Sequence, residues 1–286
     1  MIITQTPLRV SFFGGGTDFK DYYMRSGGGA VLSAAIDKYI YAIIKRRFDE
    51  RICINYSRKE NVDKVDEIEH ELVREGMRKT GIEKGVEITT LADIPSKGSG
   101  LGSSSSVTVG LLNLFYLYQA KPLSAGKLAS DACEIEIDTL KKPIGKQDQY
   151  AAAFGNLNII RFNPDDSVNV EPLAVDERIW HALEASLMLI YTGVSGSSDE
   201  ILSEQRESIR GRGRVLSEMR DMVYEGREYF LKGVLDDFGR LLNKGWELKK
   251  SLAKGITNPQ IEEIYERALK AGALTGKVYG AGGRET

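Results

Sequence analysis

The amino-acid sequence predicts an α+β protein of two domains. Strand-like and helix-like segments alternate over the first 172 residues, whereas residues 197–270 are mostly helical. The composition shifts near residue 172, and a chain of 286 residues is long enough for two domains and ample core. We therefore expect one domain over residues 1–172 and a second over residues 173–286.

The first domain is expected to begin with a strand over residues 2–13, which are rich in β-branched and aromatic residues, and to turn at the glycine-rich loop 14–18. Two further runs, 31–45 and 51–55, predict paired strands. Apolar residues at helical spacing within a charged segment predict an amphipathic helix over 65–79. A strand over 86–91 then leads into a glycine- and serine-rich loop.

The helix expected after that loop, residues 107–119, is apolar on most of its circumference and should be buried. Ser124 is the predicted N-cap of the next helix, which reaches about residue 140. Pro143 and Gly145 separate it from a short alanine-rich helix. Three later strands are predicted, at residues 156–162, 168–172 and 186–191.

The overall composition excludes several classes of partner. Hydrophobic residues make up 42% of the chain and charged residues 28%, with a formal net charge of −2. A chain so close to neutral has no extended basic surface for nucleic acid or a membrane. The first residues lack the basic and apolar regions expected of a signal peptide, and no apolar run is long enough for a membrane helix. Together with Cys53 and Cys133, which read as buried thiols, this predicts a cytoplasmic protein.

The segment 95–106 is the best candidate for a binding loop. Its glycines at every second position, Gly98, Gly100 and Gly102, let backbone N–H groups approach a ligand closely. The serines that follow favour a helix start, where free N–H donors and the helix dipole stabilise an anion such as a triphosphate. A flexible linker is the alternative. The loop matches neither the Walker motif nor the dinucleotide fingerprint.

Carboxylates are the main acid/base candidates. With only two histidines and no G-x-S-x-G motif, the chain has little material for a hydrolase triad or a histidine metal site. Asp18 follows a glycine turn, and Asp148 lies in the first turn of a helix; a turn or cap role remains open for both. Glu134 and Glu136 point to different faces of one helix. Arg9 lies between apolar residues of a strand, where a cation needs an anionic partner.

These residues resemble the GHMP kinases, the superfamily of galactokinase, homoserine kinase, mevalonate kinase and phosphomevalonate kinase. Three motifs occur in the family's order: residues 7–18 are similar to its substrate motif, 98–106 to its phosphate loop and 280–283 to its third motif. Between them, Glu136, Pro143, Gly145 and Asp148 follow the galactokinase spacing without a gap. The resemblance therefore covers nearly the whole chain.

The resemblance implies a GHMP kinase fold, with a ribosomal protein S5 domain 2-like N-terminal domain and a ferredoxin-like C-terminal domain. The family continues past the third motif with further glycine and closing strands, where this sequence ends in residues 284–286. We therefore expect a C-terminal domain that is truncated and has an exposed sheet edge.

The resemblance also implies roles for individual residues. Asp148 becomes the base that takes the proton from the acceptor hydroxyl, with Arg9 beside it and beside the transferring phosphate. Ser104 and Glu136 would hold Mg²⁺, with Ser105 able to substitute for Ser104. The implied ATP-binding residues are Gly98, Ser99, Gly100, Leu101, Gly102, Ser103, Ser104 and Ser105. The implied substrate-binding residues are Gly15, Gly16, Thr17, Asp18 and Gly193.

Within the superfamily, residues 12–18, 143–150 and 191–193 look most like the D-glycero-D-manno-heptose 7-phosphate kinases, and fucokinase domains share much of the pattern. The implied reaction is ATP-dependent phosphorylation of the anomeric hydroxyl of a sugar phosphate. A second phosphate needs a cationic partner, which Lys38, Lys146 or Arg161 could supply. This chain departs from the pattern at Gly196, where relatives often carry an arginine. The alternatives are a fucokinase- or galactokinase-like enzyme, or a catalytically impaired binding protein; a homodimer is a further hypothesis.

Overall fold

The computed structural model describes residues 1–95, 99–193, 198–280 and 282. Its strands are β1 (Ile2–Phe13), β2 (Gly29–Arg46), β3 (Ile52–Asn55), β4 (Lys59–Val62), β5 (Val86–Ala92), β6 (Leu157–Phe162) and β7 (Val168–Pro172). Its α-helices are α1 (Lys20–Tyr23), α2 (Glu71–Thr80), α3 (Ser103–Tyr118), α4 (Ala125–Cys133), α5 (Gln147–Phe154), α6 (Glu177–Ser186), α7 (Ser198–Ser208), α8 (Gly213–Leu231), α9 (Leu235–Lys250) and α10 (Pro259–Lys270). The mixed α/β architecture predicted from the sequence is confirmed.

Strand β2 organises the single seven-stranded sheet of the described residues. It pairs along most of its length with β1, while its first part pairs with β6 and its last part with β5. The sheet order is β4-β3-β5-β2-β6-β7, and the β3–β5 pair is the one parallel neighbour. Because β2 pairs with both β1 and β5, it brings the loop that follows β1 near the loop that follows β5 and precedes α3.

The prediction that β2 and β3 pair with each other is wrong. Strand β5 lies between them, antiparallel to β2 and parallel to β3. The residues between 46 and 52 would suit a short hairpin. Strand β5, however, has seven residues against four in β3, so it forms a longer pair with β2. Ile44 and Ile88, which are partners across that pair, are both fully buried.

Helix α3 packs across β1 and β2 and is buried as predicted. Leu111, Leu112, Leu114 and Phe115 are fully buried. Gly110 lets the helix approach β1 so closely that the hydroxyl of Thr4 donates to its carbonyl at 3.0 Å. The hydroxyl of Ser106 also donates to the carbonyl of Pro7 at 2.8 Å, so the start of the helix is held against the strand that carries Arg9.

The predicted helix over residues 124–140 has two parts. Ser124 caps α4 through a hydrogen bond from the Lys127 backbone N–H, as expected. From Glu134 to Thr139 the backbone widens into a π-helix, in which the N–H of Leu140 donates to the carbonyl of Ile135. π-helical turns are rare and are frequent at functional sites. This π-helical turn places the fully buried Glu136 beside the N-terminus of α3.

The strand predicted at residues 186–191 is wrong. Helix α6 extends to Ser186, and residues 187–190 follow in an irregular, extended conformation. No strand of the described residues pairs with them, although their apolar sequence suits a strand. All five side chains from Leu187 to Tyr191 are exposed. We refer to residues 187–191 as the exposed apolar run.

Most of the described residues from Ser198 to Lys270 are helical, in agreement with the prediction for residues 197–270. Helix α8 packs on β1, where Gly226 lies directly against the ring of Phe13. Phe238 of α9 makes edge-to-face contacts with Phe12 and Phe13. Trp246 is also buried. None of the described helices is both long enough and apolar enough to cross a membrane.

Candidate active site

Two adjoining cavities lie where the first and last parts of the chain meet. The larger has a volume of about 970 Å³ and is lined by the glycine–serine loop, the first residues of α3, Glu136 and Lys142. The smaller, of about 110 Å³, is lined by the loop after β1 and by residues of α9 and the final glycine stretch. The residues that line both cavities are Arg9, Ile144, Asp148, Leu202, Tyr279 and Gly280. This shared wall is the natural place for a group to pass between two ligands.

The start of α3 presents free backbone donors to the larger cavity. Gly102 caps the helix in the left-handed conformation, with φ of 78°. The first helical hydrogen bond runs from the N–H of Ser106 to the carbonyl of Gly102, which leaves the N–H groups of Ser103, Ser104 and Ser105 for a ligand. The geometry therefore supports the anion cradle and disfavours the linker alternative.

The final glycine stretch closes over this loop. Gly100 has φ of 68°, and a side chain there would overlap the carbonyl of Tyr279. Gly280 in turn lies directly against Gly100. Glycine is required on both sides because two backbones meet without room for a Cβ atom. Two motifs almost 180 residues apart in the sequence thus form one wall of the larger cavity.

Arg9 and Asp148 form a two-pronged ion pair at the shared wall. The Nε and Nη2 atoms of Arg9 donate to the two carboxylate oxygens of Asp148, each at 2.7 Å. Nη1 donates to the carbonyl of Gly100 at 2.8 Å. The buried cation therefore has the anionic partner that its sequence position predicted. The Asp148 side chain remains 24% exposed, so a ligand in either cavity can reach it.

Ser104 and Glu136 are in direct contact in the larger cavity. The Ser104 hydroxyl donates to Glu136 Oε1 at 2.6 Å, and Gln149 donates to Oε2 at 2.8 Å. Lys142 donates to the Ser104 hydroxyl at 3.1 Å and lies 3.7 Å from Glu136 Oε1. Sequence reasoning gave neither Lys142 nor Gln149 a role: Lys142 lies just before the 143–150 pattern, and Gln149 lies in that pattern without a chemistry of its own.

The residues present fit a magnesium ion. Mg²⁺ prefers oxygen ligands, and typically takes one or two from the protein and the rest from phosphate and water. Ser104 and Glu136 supply a hydroxyl and a carboxylate beside the anion cradle. The carbonyl oxygen of the Gln149 side chain is buried without a hydrogen-bond partner among the described residues, so the polar shell there is incomplete. The described residues contain no cluster of three or more His, Cys, Asp or Glu that could hold a metal alone.

Asp18 lies in the smaller cavity and is almost fully buried. Its carboxylate accepts hydrogen bonds from the backbone N–H of Gly16 at 3.0 Å and from the backbone and side-chain N–H groups of Gln147 at 3.2 and 3.1 Å. Burial and the nearby charge of Asp148 raise the pKa of Asp18 to about 6. A Cβ atom at Gly145 would overlap the carboxylate, so this glycine gives it room.

The other predicted substrate residues are divided. Gly15 and Gly16 line the smaller cavity. The hydroxyl of Thr17 is bound instead to the carbonyls of Gly14 and Ala30, at 2.7 and 2.9 Å, which holds the loop in place. Gly193 is exposed and lines neither cavity. Gly98 and Gly196 lie outside the described residues.

The cations expected to bind a second phosphate lie elsewhere. Lys146 pairs with Asp166 at 2.5 Å and Arg161 with Glu171 at 2.6 Å, while Lys38 is exposed beside Asp37. None of the three lines either cavity. Lys249 and Lys277 line the smaller cavity instead.

This fold and these motifs define a GHMP kinase. The sequence model of the GHMP kinases N terminal domain matches residues 65–156, and that of the GHMP kinases C terminal matches residues 227–286. A curated relative is 33% identical and is matched over 98% of this chain and 86% of its own length. The chain belongs to the GHMP kinase family.

That relative is the D-glycero-alpha-D-manno-heptose 7-phosphate kinase of Campylobacter jejuni. An L-fucokinase/L-fucose-1-P guanylyltransferase of Bacteroides fragilis is 29% identical over 70% of this chain and 21% of its own length. Among solved structures, a D-glycero-D-manno-heptose 1-phosphate kinase from Bacteroides thetaiotaomicron is 31% identical and covers 99% of this chain and 86% of its own, with a TM-score of 0.80. The names of these relatives describe sugar kinases, and this chain is similar to them.

Proposed function

We infer that this chain phosphorylates the anomeric hydroxyl of a sugar phosphate at the expense of ATP, with D-glycero-D-manno-heptose 7-phosphate as the acceptor and the 1,7-bisphosphate as the product. The observation that carries this inference is the Arg9–Asp148 pair at the wall shared by two cavities. The choice of heptose is supported by similarity to two heptose phosphate kinases over nearly the whole chain.

Asp148 is the proposed general base. Its carboxylate accepts the proton of the acceptor hydroxyl, while Arg9 keeps it in position through two hydrogen bonds. The guanidinium of Arg9 also offsets negative charge that develops during transfer. Phosphoryl transfer needs positioning and charge neutralisation more than covalent catalysis, so one carboxylate, one fixed cation, a metal ion and a set of backbone N–H donors suffice.

The remaining residues position the two substrates. The free N–H groups at the start of α3 bind the ATP phosphates, and Asp18 accepts hydrogen bonds from acceptor hydroxyls. Ser104 and Glu136 are the proposed ligands for Mg²⁺, which neutralises phosphate charge when bound. For this the hydroxyl of Ser104 must turn from Glu136 towards the ion, and Lys142 beside it adds a further positive charge.

The test is an acceptor panel with the purified chain and Mg-ATP. The panel contains heptose 7-phosphate, the unphosphorylated heptose, L-fucose, galactose and mevalonate, and ADP release is measured for each. We expect the highest kcat/KM with heptose 7-phosphate, and a product phosphorylated at the anomeric oxygen by phosphorus NMR. A preference for fucose or galactose would replace the acceptor assignment. ATP binding without turnover of any acceptor would identify a binding protein and overturn the enzyme assignment.

A further inference from the structure

Two lysines of the smaller cavity have no role in the proposed chemistry. Lys249 lies near the end of α9, and Lys277 lies three residues before the final glycine stretch. Both side chains are partly buried, and both line the cavity that contains Asp18. Within the described part of the chain neither ammonium group is within 4 Å of a carboxylate. Cations so placed are costly unless an anion offsets them.

Backbone carbonyls hold both ammonium groups in place. Lys277 donates to the carbonyls of Ser11 and Phe12, each at 2.6 Å. Lys249 donates to the carbonyls of Val278 and Gly280, at 2.8 and 2.6 Å. An ammonium group has three N–H donors, so each lysine keeps one donor beyond these two contacts. The carbonyls fix the position of the charge and leave it free to bind a further group.

The lysines lie on the acceptor's side of the reacting groups. Arg9 lines both cavities, whereas Lys249 and Lys277 line only the smaller one, with Asp18, Gly15 and Gly16. The anion cradle at the start of α3 lines only the larger cavity. An anion bound by the lysines is therefore separate from the triphosphate in the larger cavity.

The positive charges also repel one another in this cavity. Burial and the charge of Arg9 lower the pKa of Lys249 to about 7, and burial, Lys249 and Arg9 lower the pKa of Lys277 well below its ordinary value. The carboxylate of Asp148 is already paired with Arg9, so it does not offset the charge of the two lysines. A bound dianion would reverse this repulsion and favour the charged form of both lysines.

We propose that Lys249 and Lys277 form a subsite for the phosphate group that the acceptor already carries, so that the enzyme selects a sugar phosphate over the free sugar. The proposal rests on the proposed function for the identity of the acceptor. It replaces Lys38, Lys146 and Arg161, whose charges are engaged or exposed outside the cavities.

The test compares one sugar with and without its distal phosphate. Lys249→Gln and Lys277→Gln should each lower kcat/KM for heptose 7-phosphate by about 10- to 100-fold, the range for a hydrogen bond to a charged group. Activity with the unphosphorylated heptose should change less than about threefold. Lys277→Arg, which keeps the charge, should restore part of the selectivity. Lys250→Gln is the matched control, because Lys250 is adjacent on α9 but pairs with Glu247 and Glu262.

Two outcomes overturn the subsite. An equal loss with both sugars would show that the lysines serve the transfer step or the fold. An unchanged ratio of the two kcat/KM values would place the distal phosphate elsewhere. Thermal unfolding of each variant separates a fold defect from a local loss, since a folded variant melts as the wild type does.

A binding measurement keeps the subsite testable if the proposed function fails. Inorganic phosphate is titrated calorimetrically into the wild-type protein and into the Lys249→Gln/Lys277→Gln variant, in the presence of saturating Mg-ADP so that the larger cavity is filled. Loss of phosphate binding in the variant supports the subsite even if heptose 7-phosphate is not turned over. Equal binding by both proteins, or none by the wild type, overturns it. Turnover of heptose 7-phosphate that does not depend on the lysines would support the proposed function and overturn the subsite.

Discussion

Arg9 and Asp148 meet across 139 positions of sequence, with both nitrogens of one edge of the guanidinium on both oxygens of the carboxylate. This geometry fixes the orientation of Asp148 without hiding it from the cavities. A lysine at position 9 could neutralise the charge of Asp148. It could not form the two parallel hydrogen bonds to both carboxylate oxygens, because its ammonium group is a point charge. The proposed base is therefore positioned by the shape of arginine.

Asp148→Asn tests the proposed base. The amide keeps the size of the side chain but cannot accept a proton, so kcat should fall by about 10²- to 10⁴-fold, the usual contribution of a general base. The Kd for ATP should change little. Steady-state kinetics and a nucleotide titration measure the two quantities. A loss of less than about tenfold in kcat would show that another group takes the proton.

Asp18 makes stability depend on pH. Its pKa is raised from 3.8 to about 6 in the folded protein, so the folded state holds this proton more tightly than the unfolded state does. Stability from this group is therefore fully present below about pH 4 and is lost as the pH rises through 6, by about 3 kcal/mol in total. The wild type should lose most of this amount relative to Asp18→Asn between about pH 4 and pH 8.

Urea unfolding of both proteins across this range measures the effect. The exposed Asp37→Asn is the control for the loss of a surface carboxylate. A difference between the wild type and Asp18→Asn that does not vary with pH would show that the pKa of Asp18 is not raised in the folded state.

Sequence reasoning found Arg9 and Asp148 but not the lysines that line the two cavities. Arg9 was conspicuous as a cation in an apolar strand. Asp148 was conspicuous as a carboxylate just after Pro143 and Gly145, which end the preceding helix. Lys249 and Lys277 gave no such signal, because lysines on helices and near glycine loops are usually solvated. Only the packing of α9 and the final glycine stretch against β1 turns them inward.

At the scale of elements, the contact between the glycine–serine loop and the final glycine stretch assembles the larger cavity. Gly100→Ala should displace Tyr279, since the new methyl group would overlap its carbonyl and φ is positive. We expect the Kd for ATP to rise at least about tenfold and stability to fall by about 1–3 kcal/mol. Nucleotide titration and urea unfolding measure these effects.

The control for Gly100→Ala is Gly126→Ala. Gly126 lies in α4, and an added methyl group would meet only the edge of Phe154 at 3.9 Å. Alanine favours a helix there, so stability should stay equal or rise by up to about 1 kcal/mol, with ATP binding unchanged. Equal effects of the two substitutions would show that the loop contact does not form the nucleotide site.

Elements with strong local patterns were predicted well, and their partners were not. The buried helix α3 and the capped start of α4 follow from composition and a single serine. Which strands pair depends on residues far apart, and β5 inserts between β2 and β3 for that reason. The run 187–191 has strand composition but needs a neighbouring strand to donate hydrogen bonds, and the described residues supply none.

At the scale of the whole molecule, the exposed apolar run is the main liability for a monomer. Met188 is 83% exposed and Ile190 51%. Contiguous apolar side chains beside unpaired backbone favour association. Met188→Lys/Ile190→Lys should weaken concentration-dependent self-association in sedimentation velocity and change the free energy of unfolding by less than about 0.5 kcal/mol each. This measurement also tests the homodimer, which stays a prediction.

Phe48→Ser provides the comparison. Phe48 is fully exposed, but its neighbours in the sequence are not exposed apolar residues. Its replacement should leave association unchanged. Association that persists in the double lysine variant would assign it to another surface.

The wall shared by the two cavities has a consequence for inhibition. Arg9 and Asp148 border both spaces, so the proposed nucleotide site and the proposed acceptor site adjoin each other. One molecule that joins a nucleoside to a sugar through a chain of phosphates could occupy both at once. Its second half would bind at the high effective concentration set by the short linker, and its affinity should exceed that of either half alone. The number of phosphates that gives the tightest binding would then measure the distance between the two sites in solution.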